Sequence, residues 1–206
     1  MRHRFTVVEE QDTTLAIAVG AFLDCEHYVH LHRSILASFE VLDYQERKVR
    51  VRQRMRWMGL LIGHECTIEY LPPGHFRTTD IVASPRWAPS VHLLLKNTTV
   101  DVRYRRHPER DTTLMRFDMQ FDMPCWLYPL RSYLQAVLER MHHLKEEEDL
   151  RVFARRARLF GRDNNACYLA DHQFLLHKDE YLRCFGPHSA LLVPETPEPV
   201  GEALRR

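Results

Sequence analysis

The sequence predicts an α+β fold in which an antiparallel sheet wraps one long C-terminal helix, and three observations predict it. Period-two alternation of apolar and polar residues dominates from Ser38 to Met123. After Pro124 the apolar residues recur at a 3.6-residue period as far as Phe160. Turn residues such as Pro72-Pro73-Gly74, which cannot continue a ladder, separate the alternating runs.

Taken in order, Phe5–Val8 and Thr13–Val19 read as short strands, and aliphatics at helical intervals place a helix over Ala21–Leu36. The clearest early strand sets Val49, Val51, Gln53, Met55 and Trp57 on one face and Arg50, Arg52, Arg54 and Arg56 on the other. Gly59 and Gly63 are expected to flank a turn. Cys66–Leu71 and Phe76–Val82 follow as strands, with Val91–Leu95 and Val100–Arg105 as weaker ones. In Thr112–Met123, the residues Met115, Phe117, Met119 and Phe121 alternate with Arg116, Asp118 and Gln120. From Pro129 to Phe160 an apolar stripe through Leu134, Leu138, Leu144, Val152 and Phe153 predicts one long helix, stopped by Gly161. Tyr168–Phe185 reads as helical again. Residues 1–186 are expected to form one domain, and Pro187–Arg206, with four prolines, a flexible tail.

Composition narrows the function classes. The chain has 206 residues, enough for one sizeable core, and 29 basic against 28 acidic side chains. That balance gives no global drive toward nucleic acid, and no apolar run is long enough to span a membrane. Acidic residues Glu9, Glu10 and Asp12 interrupt the basic N-terminus before the apolar Leu15–Leu23, unlike a signal peptide. Five scattered cysteines suit reduced thiols, and the expected location is cytoplasmic. No Gly-rich phosphate loop, Gly-x-Ser-x-Gly or Cys-x-x-Cys occurs. The arginine face of residues 50–56 is read as the solvent side of a half-buried strand.

Chemistry concentrates in Asp24-Cys25-Glu26-His27-Tyr28-Val29-His30-Leu31-His32, where three histidines fall within six residues. Neutral imidazoles beside a carboxylate suit Fe(II), Mn or Zn. On a regular helix His27 and His32 diverge by roughly 140°, so they converge only where the helix ends or distorts. Asp149 closes the charge run Lys145–Asp149, which by itself reads as a solvated helix face, yet Leu150 and Phe153 set it at the edge of the apolar stripe. The Asp171–His177 segment repeats the His-x-x-x-x-His spacing and is read as structural. His142-His143 reads as a surface pair. Met115, Phe117, Met119 and Phe121 are expected to line a cavity between strand and helix, since methionine tolerates irregular space; the alternative is a closed core.

The element order resembles the helix-grip fold of the START and Bet v 1-like (SRPBCC) superfamily. Within it, Asp24-x-x-His27-x-x-x-x-His32 and Glu148-Asp149-Leu150-Arg151-Val152-Phe153 resemble the iron-binding segments of the catalytic domain of Rieske non-haem iron oxygenases. The resemblance implies a mononuclear Fe(II) site held by His27, His32 and Asp149. Asp24, the catalytic aspartate, would orient a histidine or assist electron entry, and the substrate would be an apolar, cyclic small molecule. The Cys-x-x-His half of a Rieske cluster site is missing, so electrons would come from a separate ferredoxin or Rieske protein. The second expectation, from another class, is a metal-free START-like or polyketide-cyclase-like protein that binds or cyclises a hydrophobic small molecule. Homo-oligomerisation is left open.

Overall fold

Seven strands in sequence order make one antiparallel sheet, and the computed structural model describes residues 1–24, 32, 35–57, 60–84, 95–160 and 176–186. The strands are β1 (Arg2–Gln11), β2 (Leu36–Gln45), β3 (Lys48–Trp57), β4 (Leu60–Leu71), β5 (His75–Ala83), β6 (Lys96–Arg106) and β7 (Thr113–Asp122). Their spatial order is β1-β7-β6-β5-β4-β3-β2, so hairpin neighbours stay adjacent and β1 returns to pair with β7. Among the described residues three helices complete the fold: α1 (Leu15–Leu23), α2 (Arg131–Phe160) and α3 (Lys178–Phe185), with a 3-10 turn, Tyr128–Leu130, ahead of α2. This is the expected helix-grip architecture.

The alternation seen in the sequence maps onto the two faces of the sheet. On the inner face β1 presents Phe5, Val7 and Gln11, whose register partners on β7 are Met119, Phe117 and Thr113. Val49 and Val51 of β3, Ile68 and Tyr70 of β4 and Phe76 of β5 are buried on the same side. The outer face is a lattice of alternating charge. Arg50 and Arg52 of β3 donate to Glu65 of β4, and Arg77 of β5 donates to Asp101 of β6. Such exposed pairs add solubility and register more than stability.

Three local expectations are corrected. Thr13–Val19 is not a strand: Thr14 caps α1 by accepting the Ile17 amide at 3.4 Å, and Ile17, Ala18, Val19, Ala21 and Leu23 are buried around the helix. Burial on all sides erases the polar stripe that would have signalled a helix, and the β-branched residues imitate a strand. The helix therefore ends at Leu23 rather than spanning Ala21–Leu36, and Leu36 opens β2. Gly63 lies inside β4, not in a turn, because a Cβ there would collide with the Ser84 carbonyl oxygen on β5's continuation. Gly59, most of Val91–Leu95, the Asp171–Leu175 stretch and the tail beyond Gly186 lie outside the described residues. No helix of the described residues is long and apolar enough to cross a membrane.

Candidate functional site

The interior face of α2 changes character along its length. Leu134 and Leu138 pack beneath Phe5, Phe121, Met123 and Leu127, and Phe153 packs on Ile17 and Ala21 of α1. Between these apolar ends lie His142, Glu146 and Asp149, all buried at spacings of four and three residues. Such spacings put the three side chains on one face of the helix. Leu144, expected in the apolar stripe, is exposed instead, and so is Leu150 beside Asp149. The gap in that stripe between Leu144 and Val152 was the signal that polar residues take the inward positions here, and the charge run around Glu146 concealed it.

Each polar group of this turn meets a specific neighbour. Gln11, at the end of β1, donates through Nε2 to Glu146 Oε2 at 2.5 Å, and the same amide nitrogen lies 3.7 Å from Met115 Sδ. The His142 ring stacks on Phe117 of β7, with centroids 4.4 Å apart. His142 is therefore a buried interior residue rather than half of a surface pair; His143 alone reaches outward, to Glu9. Gln11 Oε1, Thr13 Oγ1 and His142 Nε2 are buried without a hydrogen-bond partner among the described residues. Orphaned buried polar atoms of this kind are uncommon and call for an explanation.

Burial also sets protonation. It pushes the Glu146 carboxyl up to about 8, with Asp149 and Glu9 adding to the rise and Lys145 and Gln11 opposing it. Burial lowers His142 to about 3, reinforced by Lys145 and His143 and opposed by Asp149. At neutral pH the turn thus offers a protonated carboxyl as donor and a neutral imidazole as acceptor.

Beside this turn a cavity of about 10 Å³ opens between α1, β6 and α2, lined by Ala18, Ala21, Phe22, Tyr104, Asp149 and Phe153. Lys145 reaches across it, its ammonium 5.2 Å from the centre of the Phe22 ring. Met115, Phe117, Met119 and Phe121 share the inner face of β7, opposite Arg116 and Asp118. Met115 packs with Tyr70, Phe76 and Tyr104, while Met119 and Phe121 pack with Phe5 and Leu127.

His32 and Asp149 are brought together. The His32 Nε2 lies 3.1 Å from Asp149 Oδ1 and its Nδ1 lies 2.9 Å from Glu148 Oε2, so both ring nitrogens face carboxylates of α2. This clamp ties the segment before β2 to the long helix. Asp24 is buried at the C-terminus of α1, where its backbone N–H caps the Ala21 carbonyl. His27 lies outside the described residues. Among the described residues, no group of three or more His, Cys, Asp and Glu side chains is placed to hold a metal ion.

No protein-family model and no curated protein matches the sequence. Solved structures do match. The Zhui aromatase/cyclase from Streptomyces sp. R1128 superposes with a TM-score of 0.64 at 13% identity, covering 78% of this chain and 99% of its own. The di-domain ARO/CYC StfQ from the steffimycin biosynthetic pathway gives 0.62 at 12% identity, covering 77% of this chain and 53% of its own. The protein TTHA0849 from Thermus thermophilus gives 0.55 at 12% identity, over 72% and 95% of the two chains. The names of these neighbours overturn the iron-oxygenase expectation and the oxidoreductase reading, and nothing supports the expected ferredoxin or Rieske partner. They fit the small-molecule binding or cyclising alternative instead. The physical reason for the misreading is that His-x-x-x-x-His and Glu-Asp are short and recur by chance in helical, charge-rich segments. Likeness at this identity establishes architecture, and the chain has the helix-grip, Bet v 1-like fold.

Proposed function

We propose that this chain binds an apolar, ring-bearing small molecule between the inner face of the sheet and α2, and acts on it as a cyclising protein does. The observation that carries the reading is the polar turn His142–Glu146–Asp149, set inward in an otherwise apolar wall and facing Gln11 and Phe117. A closed core gains nothing from such groups, because each buried polar atom without a partner costs about 1–3 kcal/mol. A bound molecule with a carbonyl and a hydroxyl would satisfy them. Glu146, protonated at neutral pH, donates to a carbonyl oxygen, and the neutral His142 Nε2 accepts from a hydroxyl. Closing a ring by joining two carbons of a polyketone breaks a C–H bond at the doubly activated attacking carbon, whose proton is lost to solvent, and adds a proton to the carbonyl oxygen that becomes a hydroxyl; Glu146 would deliver that second proton. The names of the fold neighbours, aromatase/cyclases, support this class of substrate.

The test uses N-phenyl-1-naphthylamine, a neutral apolar fluorophore, displaced by aromatic hydroxyketones. Uptake of the fluorophore and competition by hydroxyketones, weakened about tenfold or more in Glu146→Leu, is the expected result. Equal competition by hydroxyketones and by plain hydrocarbons of the same size would contradict the role of the polar turn.

A further inference from the structure

The chain continues past α2, and α3, the last helix among the described residues, sits inside the grip. Tyr181 of α3 is fully buried in the same cluster as Met115, Tyr70, Phe76 and Tyr104, and its hydroxyl donates to the Ala16 carbonyl of α1 at 3.0 Å. Leu176, Leu182 and Phe185 pack against that cluster. Two hairpins frame the docking place. Tyr44, from the β2–β3 end, stacks on His177, and Tyr70, beside the β4–β5 turn, neighbours both His177 and Cys184. The helix therefore closes the hairpin end of the wrap from within.

Its attachment differs from that of the rest of the core. Helix α3 has eight residues, too few to be stable undocked. It is entered through His177, a non-glycine residue at φ 52°, ψ 39°. Docking buries the His177 Nε2 without a hydrogen-bond partner among the described residues. It also buries Glu180, whose carboxylate is met by Arg183 of its own helix. Both groups regain water when the helix leaves, whereas no ladder hydrogen bond of the sheet is broken. The cavity between α1, β6 and α2 is about 10 Å³, and a ring-bearing ligand needs roughly several hundred.

We infer that α3 is a stopper, opening as a unit separate from the sheet and displaced from the Tyr70–Tyr104–Met115 wall when a small molecule enters. The inference rests on the proposed small-molecule function for its ligand, but the opening itself is measurable without one.

The native cysteines supply the test. Cys184 is buried on α3, and Cys66 is buried on β4, which is paired on both sides by β3 and β5. Iodoacetamide labelling of the folded full chain, resolved by site with mass spectrometry, should modify Cys184 at least tenfold faster than Cys66. Saturating N-phenyl-1-naphthylamine should accelerate Cys184 a further threefold or more and leave Cys66 unchanged. Equal rates at the two cysteines would overturn the inference whatever the fluorophore does, because α3 would then open only with global unfolding. A bound fluorophore that leaves the Cys184 rate unaltered would overturn it too. Failure of the fluorophore to bind either the native chain or Tyr181→Ser counts instead against the small-molecule function, and faster labelling of Cys184 would still support the stopper.

Discussion

Phe117 lies almost flat against His142, with ring centroids 4.4 Å apart and planes inclined by 25°. This contact joins the inner face of β7 to the polar turn of α2 and keeps the imidazole out of water. Phe117 is half-buried and also packs on Phe5 at 6.1 Å. Phe117→Ala should cost about 2–3 kcal/mol, less than the ~3–5 kcal/mol of a fully buried phenylalanine. It should also let water reach His142 and raise its pKa toward the ordinary imidazole range. Urea unfolding and a histidine NMR titration measure the two effects, and an unchanged His142 pKa would mean the stacking does not control its burial.

Glu146 gives a pH signature of its own. Its pKa is higher in the folded chain than in an unfolded one, so its favourable contribution is complete below the usual carboxylate range and is lost as pH rises toward about 8. Melting temperature should therefore fall between about pH 5 and pH 8 and level off above that. Glu146→Gln keeps the shape without the ionisable group, and its melting temperature should fall much less over that range. Parallel alkaline limbs in the two proteins would show that Glu146 is not the group responsible.

The acid limb belongs partly to the outer face. Asp118 is buried there; desolvation would raise its pKa, but hydrogen bonds from Arg116 and Thr6, with Arg4 nearby, outweigh it and hold the carboxyl below its ordinary value. That stabilisation is present above the unfolded carboxylate pKa and is lost as pH falls through the folded one. Asp118→Asn should cost on the order of 1–3 kcal/mol at pH 7 and little below pH 3. Asp122, paired at 3.2 Å with an exposed Arg2, should lose far less than Asp118 when changed to Asn, because solvent screens the pair. Equal losses at the two positions, read from denaturant midpoints, would contradict the ranking.

Period and turn chemistry made most of the architecture legible. Alternation over Met115–Phe121 and Val49–Met55 named the inner faces correctly, and the 3.6-residue repeat after Pro124 found α2 within two residues of its start. Helix α1 was missed because a segment buried on all sides has no polar stripe to set its period. The interior polar turn was misread for the opposite reason. His142 and Glu146 sit in a stretch so charged that their inward spacing was masked by exposed neighbours such as His143 and Glu147. The convergence of His32 with Asp149 was visible only through a borrowed motif, and the structure pairs that imidazole with Glu148 as well.

The central claim is that a neutral apolar molecule occupies the grip beside the polar turn of α2. Methyl-selective NMR of the chain labelled at methionine, with the ring signals of His142, measures it directly during titration with N-phenyl-1-naphthylamine. The account predicts saturable shifts at the Met115 methyl and at His142, with Met1, which is exposed, unaffected. Shifts confined to exposed groups, or none at any methionine while the fluorophore remains bound, would contradict it.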